Sequence, residues 1–197
     1  AGITLVASEV ASTPADAYAA AERIGYPVVA KLLASAHTHK SDAGLVRVNL
    51  ADAAALTAAL ADMTKRVSEY EGILVQKMAG KGVEALIGVE NDAQFGPVVA
   101  CGVGGVLVEL LSDVALRLPP FDTATARKMV NETRLARLLA GYRGAPLADT
   151  EALAELLVKF GDFALRHAGQ LRSLDMNPVI VHEQGLSLVD VRILWSD

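Results

Sequence analysis

The 197-residue chain has a single cysteine, only 5% aromatic residues and no excess of positive charge, its 18 basic and 23 acidic side chains giving a net charge of −5. One cysteine, Cys101, excludes a disulfide framework and a CxxC-type metal site, and it suits a reducing cytoplasm. Few rings and an acidic balance argue against a nucleic-acid grip made of basic patches and stacked bases. Long hydrophobic runs are missing as well. The longest mainly apolar stretch runs from Phe95 to Val108, stops at Glu109 and is broken by glycines, whereas a membrane-spanning helix takes about 20 apolar residues. No basic segment followed by an apolar block opens the chain, so no secretory signal is read. Neither a GxGxxG fingerprint nor a GxxxxGK[ST] loop occurs, so a nucleotide, if bound, uses another architecture. What is present is 52% hydrophobic and 21% charged residues, a globular composition that excludes disorder and fits one large domain or two small ones. The start at Ala1 without methionine, followed by a strand-like Ile3–Val6, predicts a piece of a longer polypeptide.

Strands and helices alternate through the first half. Thr13-Pro14-Ala15-Asp16 predicts a helix start, and that helix is expected to stop at Gly25. Residues 26–33 predict a buried strand and Leu45–Leu50 a half-buried one; Asp52 caps the next helix. Strands are then expected over 72–78, 83–89 and 96–101. Helices are expected from Asp122 to near Gly141 and from Asp149 to near Gly169. Two closing strands, 173–181 and 186–194, follow around a turn at Glu183-Gln184-Gly185. The pattern is α+β, with a lobe boundary expected near Tyr70–Gly72 that separates residues 1–70 from 71–197.

Three segments can carry chemistry. The polar loop His37-Thr38-His39-Lys40-Ser41-Asp42-Ala43-Gly44 lies between apolar strands, and Ser41 with neighbouring amides can cradle phosphate oxygens. Lys31 sits in an apolar strand, an awkward place unless its ammonium reaches an anion. The same residues also suit a solvated hairpin with a lysine snorkelling at the strand end. In the second segment, Asp175 and Asn177 alternate within one strand and point to one face, with Asp190 on the neighbouring strand. Converging oxygen ligands fit magnesium carrying a nucleotide phosphate and not zinc, although a plain polar edge gives the same pattern. The third, Gly102-Val103-Gly104-Gly105, is a weak signal on its own. His167 at a helix end, His182 by a turn as a solvent-facing residue, His37 as a loop residue and Cys101 as a small core residue are expected to have no catalytic part.

Taken together, Tyr26-Pro-Val-Val-Ala-Lys31, His39-Lys-Ser-Asp-Ala-Gly44, Phe95-Gly-Pro-Val-Val, Gly104-Gly-Val-Leu-Val-Glu109, Asp113-Val-Ala-Leu-Arg117 and Leu174-Asp-Met-Asn-Pro178 resemble the ATP-grasp domain of ADP-forming acyl-CoA synthetases. The relatives are the acetate–CoA ligase (ADP-forming) beta chain and, more distantly, the succinyl-CoA synthetase beta chain. The resemblance runs through nearly the whole chain in order and lacks only the family's short leading segment. Leu45 stands where a second glycine is usual, and Ala34-Ser35 where Ser-Pro is usual. It implies an ATP-grasp fold of two α+β lobes enclosing ATP or ADP with Mg2+. It further implies that Lys31 and Ser41 meet phosphates, that Gln76, Lys77 and Met78 meet adenine through their backbone, and that Glu84 takes the ribose. His39 is implied as the transiently phosphorylated relay, Asp175 as the residue orienting its imidazole, and Asn177 and Asp190 as magnesium ligands. The implied partner is a CoA-binding portion, in the same polypeptide or in an alpha subunit, within an oligomeric cytoplasmic enzyme. A rival implication is a non-catalytic, synthetase-like sensor region of a protein acetyltransferase.

Overall fold

Residues 5–34, 44–67, 69–105 and 113–196 are described by the computed structural model. They fall into two compact units, one of Leu5–Ala79 and one built on Gly80–Asp197.

In the first unit, local capping chemistry sets the helices. The Thr13 hydroxyl accepts the Asp16 N–H at 3.2 Å and starts α1 (Pro14–Ile24), which Gly25 ends at a φ of 81° that suits a residue without Cβ. Asp52 accepts the Ala55 N–H at 2.8 Å and starts α2 (Ala53–Met63). Strands β1 (Ser8–Ala11), β2 (Val28–Leu33), β3 (Val46–Leu50) and β4 (Gly72–Lys77) form an antiparallel sheet in the order β1-β4-β2-β3. Val28, Ala30, Leu32, Ile73 and Val75 share a core with Ala17, Ala20 and Ala21 of α1 and Leu56, Leu60 and Met63 of α2. The alternate positions Val29, Lys31 and Gln76 therefore take the opposite face of the sheet. The first described strand is Ser8–Ala11, and of the strand-like segment Ile3–Val6 residues 3 and 4 lie outside the described residues. Packing draws the unit boundary after Ala79 instead of near Tyr70, because β4 is an inner strand hydrogen-bonded to both β1 and β2.

The second unit has strands β5 (Val83–Asp92), β6 (Gly96–Val103), β7 (Val114–Arg117), β8 (Leu171–Val181), β9 (Leu186–Leu188) and β10 (Arg192–Trp195). They run antiparallel in the order β10-β8-β5-β6-β7, with β9 also pairing β8. Helices α3 (Thr123–Asn131), α4 (Leu135–Leu139) and α5 (Thr150–Arg166) pack on one face around Phe160, Leu153, Met129 and Leu135. Asp122 and Asp149 cap α3 and α5 as the sequence predicts. The single helix expected from Asp122 to Gly141 breaks after Asn131, where the Asp113 carboxylate accepts the Arg134 N–H and Thr133 Oγ1 turns back to the Val130 carbonyl. β7 falls where the periodicity reading assigns no strand. The expected strand 186–194 divides into β9 and β10. Among the described residues no helix is long and apolar enough to cross a membrane.

Candidate active site

Each unit carries its own share of the candidate residues. In the first, Lys31 is 8% exposed on β2, between Val46 of β3 and Leu74 of β4. Gln76 is also buried, opposite Ser8 and Val29. A buried ammonium needs an anion or polar partners, and at this burial Lys31 does not fit a lysine snorkelling into solvent from a strand end. Lys77 plays a structural part, since its Nζ donates to the carbonyls of Gly25 at 2.8 Å and Tyr26 at 3.0 Å and closes the end of α1. The Lys77 and Met78 amides are engaged too, with Ala7 and Pro27 carbonyls at 2.8 and 3.1 Å. Adenine recognition by those two N–H groups would have to displace these bonds. His39 and Ser41 lie outside the described residues.

In the second unit the candidates gather on the sheet face away from the helices. β8 carries two residues, Asn177 and Pro178, against the single Leu86 of β5, between the pairs Ile87–Met176 and Ala85–Val179. This bulge lets Met176 and Val179 both face the core and leaves Asp175 and Asn177 on the open side. Leu188 of β9 stands opposite Val179, and Arg192 of β10 opposite Asp175. Carried across the gap, the same register sets Asp190 opposite Asn177. Asp190 is thus in the link between β9 and β10 and not within a strand as expected. Proline's missing N–H at 178 fits a ladder that lapses there. The Asn177 Oδ1 accepts the Gly105 N–H at 2.7 Å, and the Gly104 N–H donates to the Glu84 carbonyl at 2.9 Å. The structure thus brings Glu84, Asn177 and the glycine pair together. Partial desolvation pushes the Asp175 carboxyl above its ordinary value; the nearby Asp190 charge adds to this, and Arg192 opposes it.

The ATP-grasp domain family profile matches residues 1–194. This chain belongs to the ATP-grasp family. It is 34% identical to the beta subunit of acetate–CoA ligase (ADP-forming) I of Pyrococcus furiosus, with 98% of this chain and 85% of that one covered. It is 41% identical to a trans-feruloyl-CoA synthase of an unknown prokaryotic organism over 98% of this chain, but spans only 28% of that protein's length. Acetyl-coenzyme A synthetase 1 of Ca. Korarchaeum cryptofilum, solved with coenzyme A, Ca-AMPCP and HgCl+, superposes with a TM-score of 0.93 at 37% identity, covering 99% of this chain and 87% of that one. The expected α+β ATP-grasp fold and kinship with the ADP-forming ligases are therefore correct.

For an ATP-grasp domain the donor chemistry matters. Asn177 and Asp190 offer hard oxygen ligands that suit magnesium. Among the described residues no group of three or more His, Cys, Asp or Glu side chains could hold a metal. A surface depression lined by Arg117, Leu118 and Phe121 carries none of the candidate side chains.

The residues set aside by sequence behave in two ways. Cys101 is buried and its thiol is pushed up to about 12, so it is an inert core residue. His167 ends α5 against Phe163 and Trp195, at ring distances of 4.5 and 5.7 Å. His182 is not simply solvent-facing: its Nδ1 lies 2.9 Å from the Lys81 carbonyl and its Nε2 2.8 Å from Ser187 Oγ, which ties the segment before β5 to the β8–β9 hairpin. The bulge and the part played by Gly105 escape sequence reasoning; the run Gly104-Gly105 is the one signal that points to them.

Proposed function

We propose that this domain is the nucleotide half of an ADP-forming acyl-CoA synthetase, in which acyl-CoA, ADP and phosphate are interconverted with carboxylate, CoA and ATP. The observation that carries this reading is the near end-to-end kinship with an acetate–CoA ligase beta subunit, joined to a second unit that sets Asn177 opposite Asp190 beside Glu84. The Korarchaeum relative, solved with a calcium-bound nucleotide analogue, supports a divalent nucleotide complex as the ligand. The chain spans 28% of the feruloyl-CoA synthase but 85% of the acetate–CoA ligase beta subunit, which supports a CoA-binding portion elsewhere in the polypeptide or on an alpha subunit.

In this reading Lys31 places a positive charge on phosphate oxygens, Ser41 contributes to their cradle, and Glu84 takes ribose hydroxyls. Gln76, Lys77 and Met78 border the adenine. Asn177 and Asp190 would hold Mg2+, which supplies charge neutralisation on the phosphates when bound. A neutral imidazole at His39 is a competent nucleophile near pH 7, since an ordinary histidine titrates at about 6.5. It would accept the γ-phosphoryl group of ATP, releasing ADP, and Asp175 would steady the charged ring. The relatives named above are CoA ligases and synthases, which favours an enzyme over an acetyltransferase sensor. The single buried cysteine suits a reducing cytoplasm.

The test is labelling of the intact protein with γ-labelled ATP. The expected product is an acid-labile, base-stable phosphoryl label that His39→Ala abolishes. Full labelling of that variant would assign the relay to another residue.

A further inference from the structure

A carboxamide has two ends of similar size, one an oxygen acceptor and one an NH2 donor, and only its surroundings decide which faces a ligand. At Asn177 the surroundings decide. The Gly105 N–H, a donor only, lies 2.7 Å from Oδ1 and so must meet the oxygen. That bond uses one of the oxygen's two lone pairs and leaves the other. The Gly105 peptide is in turn tightly placed. Its φ is +68°, and a Cβ built on it would collide with Glu84 Oε2. The preceding Gly104 admits no side chain either, since its Cβ would land 2.5 Å from the Ala85 carbonyl oxygen. The Gly104–Gly105 turn after β6 thus runs against the β5 backbone and beside the Glu84 side chain, with the Gly105 N–H on the β8 bulge.

We infer that Gly105 is a positioning residue, whose N–H fixes Asn177 with its oxygen as the group available to a nucleotide-bound divalent cation and whose missing side chain leaves the Glu84 carboxylate its place. This rests on the functional reading given above. A carboxylate at position 177 has two equivalent oxygens and no wrong end, so the N–H should matter far less there. Magnesium is titrated calorimetrically into the ADP-saturated intact protein for the wild type, Gly105→Ala, Asn177→Asp and the double variant. The expected result is a roughly tenfold loss of magnesium affinity from Gly105→Ala in the Asn177 background, the scale on which groups orienting a ligand act, and a much smaller loss in the Asn177→Asp background. Equal losses in both backgrounds overturn the inference alone. Failure of the wild type to bind ADP with magnesium's help overturns the functional reading and this inference together. A second measurement needs no substitution at 105. In protein labelled with [15N]glycine, the Gly105 amide proton resonates downfield and moves upfield in Asn177→Ala, and an unmoved resonance overturns the inference.

Discussion

The two units use the same plan, a sheet with helices on one face and candidate chemistry on the other, but they fill it differently. The first presses α1 onto its sheet through Ala17, Ala20 and Ala21, each at most 1% exposed. The second fills its core with Phe160, Leu153, Met129 and Leu135. The polar side differs as well. Among its described residues the first unit presents one buried ammonium from an inner strand, and the second gathers oxygens at a bulge and at the link between β9 and β10. A cation can be set by strand alternation alone, whereas a set of oxygens drawn from Glu84, Asn177 and Asp190 needs register, bulge and turn to agree.

Paired substitutions break this comparison. Phe160→Ala empties the second core and is expected to cost about 3–5 kcal/mol. Ala20→Leu overfills the first and is expected to cost about 1–3 kcal/mol. Denaturant melts followed by probes in each unit check both. If filling Ala20 were harmless, the close seat of α1 would not be what shapes the first unit.

A smaller effect sharpens the contrast within the second unit, where two carboxylates are driven apart. Backbone N–H groups of Ala152 and Gly185 hold Asp149 below its ordinary value, while burial and the Asp190 charge hold Asp175 above it. A carboxyl raised in the folded state favours folding in its protonated form. That contribution is full below the unfolded value and is lost as pH rises through the folded one. Asp175→Asn should therefore raise the thermal midpoint at pH 7, with the gain shrinking as pH falls through the raised Asp175 value. Solvent around this partly open group keeps the gain under about 1 kcal/mol. A gain that is the same at pH 7 and pH 4 would contradict the assignment.

Much of the fold is legible from local rules. Thr13, Asp52, Asp122 and Asp149 announce their helices because an N-cap needs only a side-chain oxygen three residues before an orphan N–H. Lys31 stands out because an apolar strand does not ordinarily contain an ammonium. What sequence does not show depends on distant partners. The helix break at Glu132–Arg134 needs Asp113, 21 residues away, to take the Arg134 N–H. The split between β9 and β10, the opposition of Asp190 to Asn177 and the Gly105–Asn177 bond all follow from strand pairing and one extra residue in β8. For Lys77 the resemblance implies a backbone role only, and the bonds of its ammonium to the Gly25 and Tyr26 carbonyls are not legible in the sequence.

We propose that Lys31 gives an ammonium to nucleotide phosphates and that Asp190 helps to hold their divalent cation. Calorimetric titration of ADP into the wild type, Lys31→Met and Asp190→Ala, with and without magnesium, tests it most directly. Magnesium-enhanced binding is expected in the wild type, loss of that enhancement in Asp190→Ala, and weaker binding in Lys31→Met under both conditions. Affinity indifferent to magnesium in both the wild type and Asp190→Ala would contradict it.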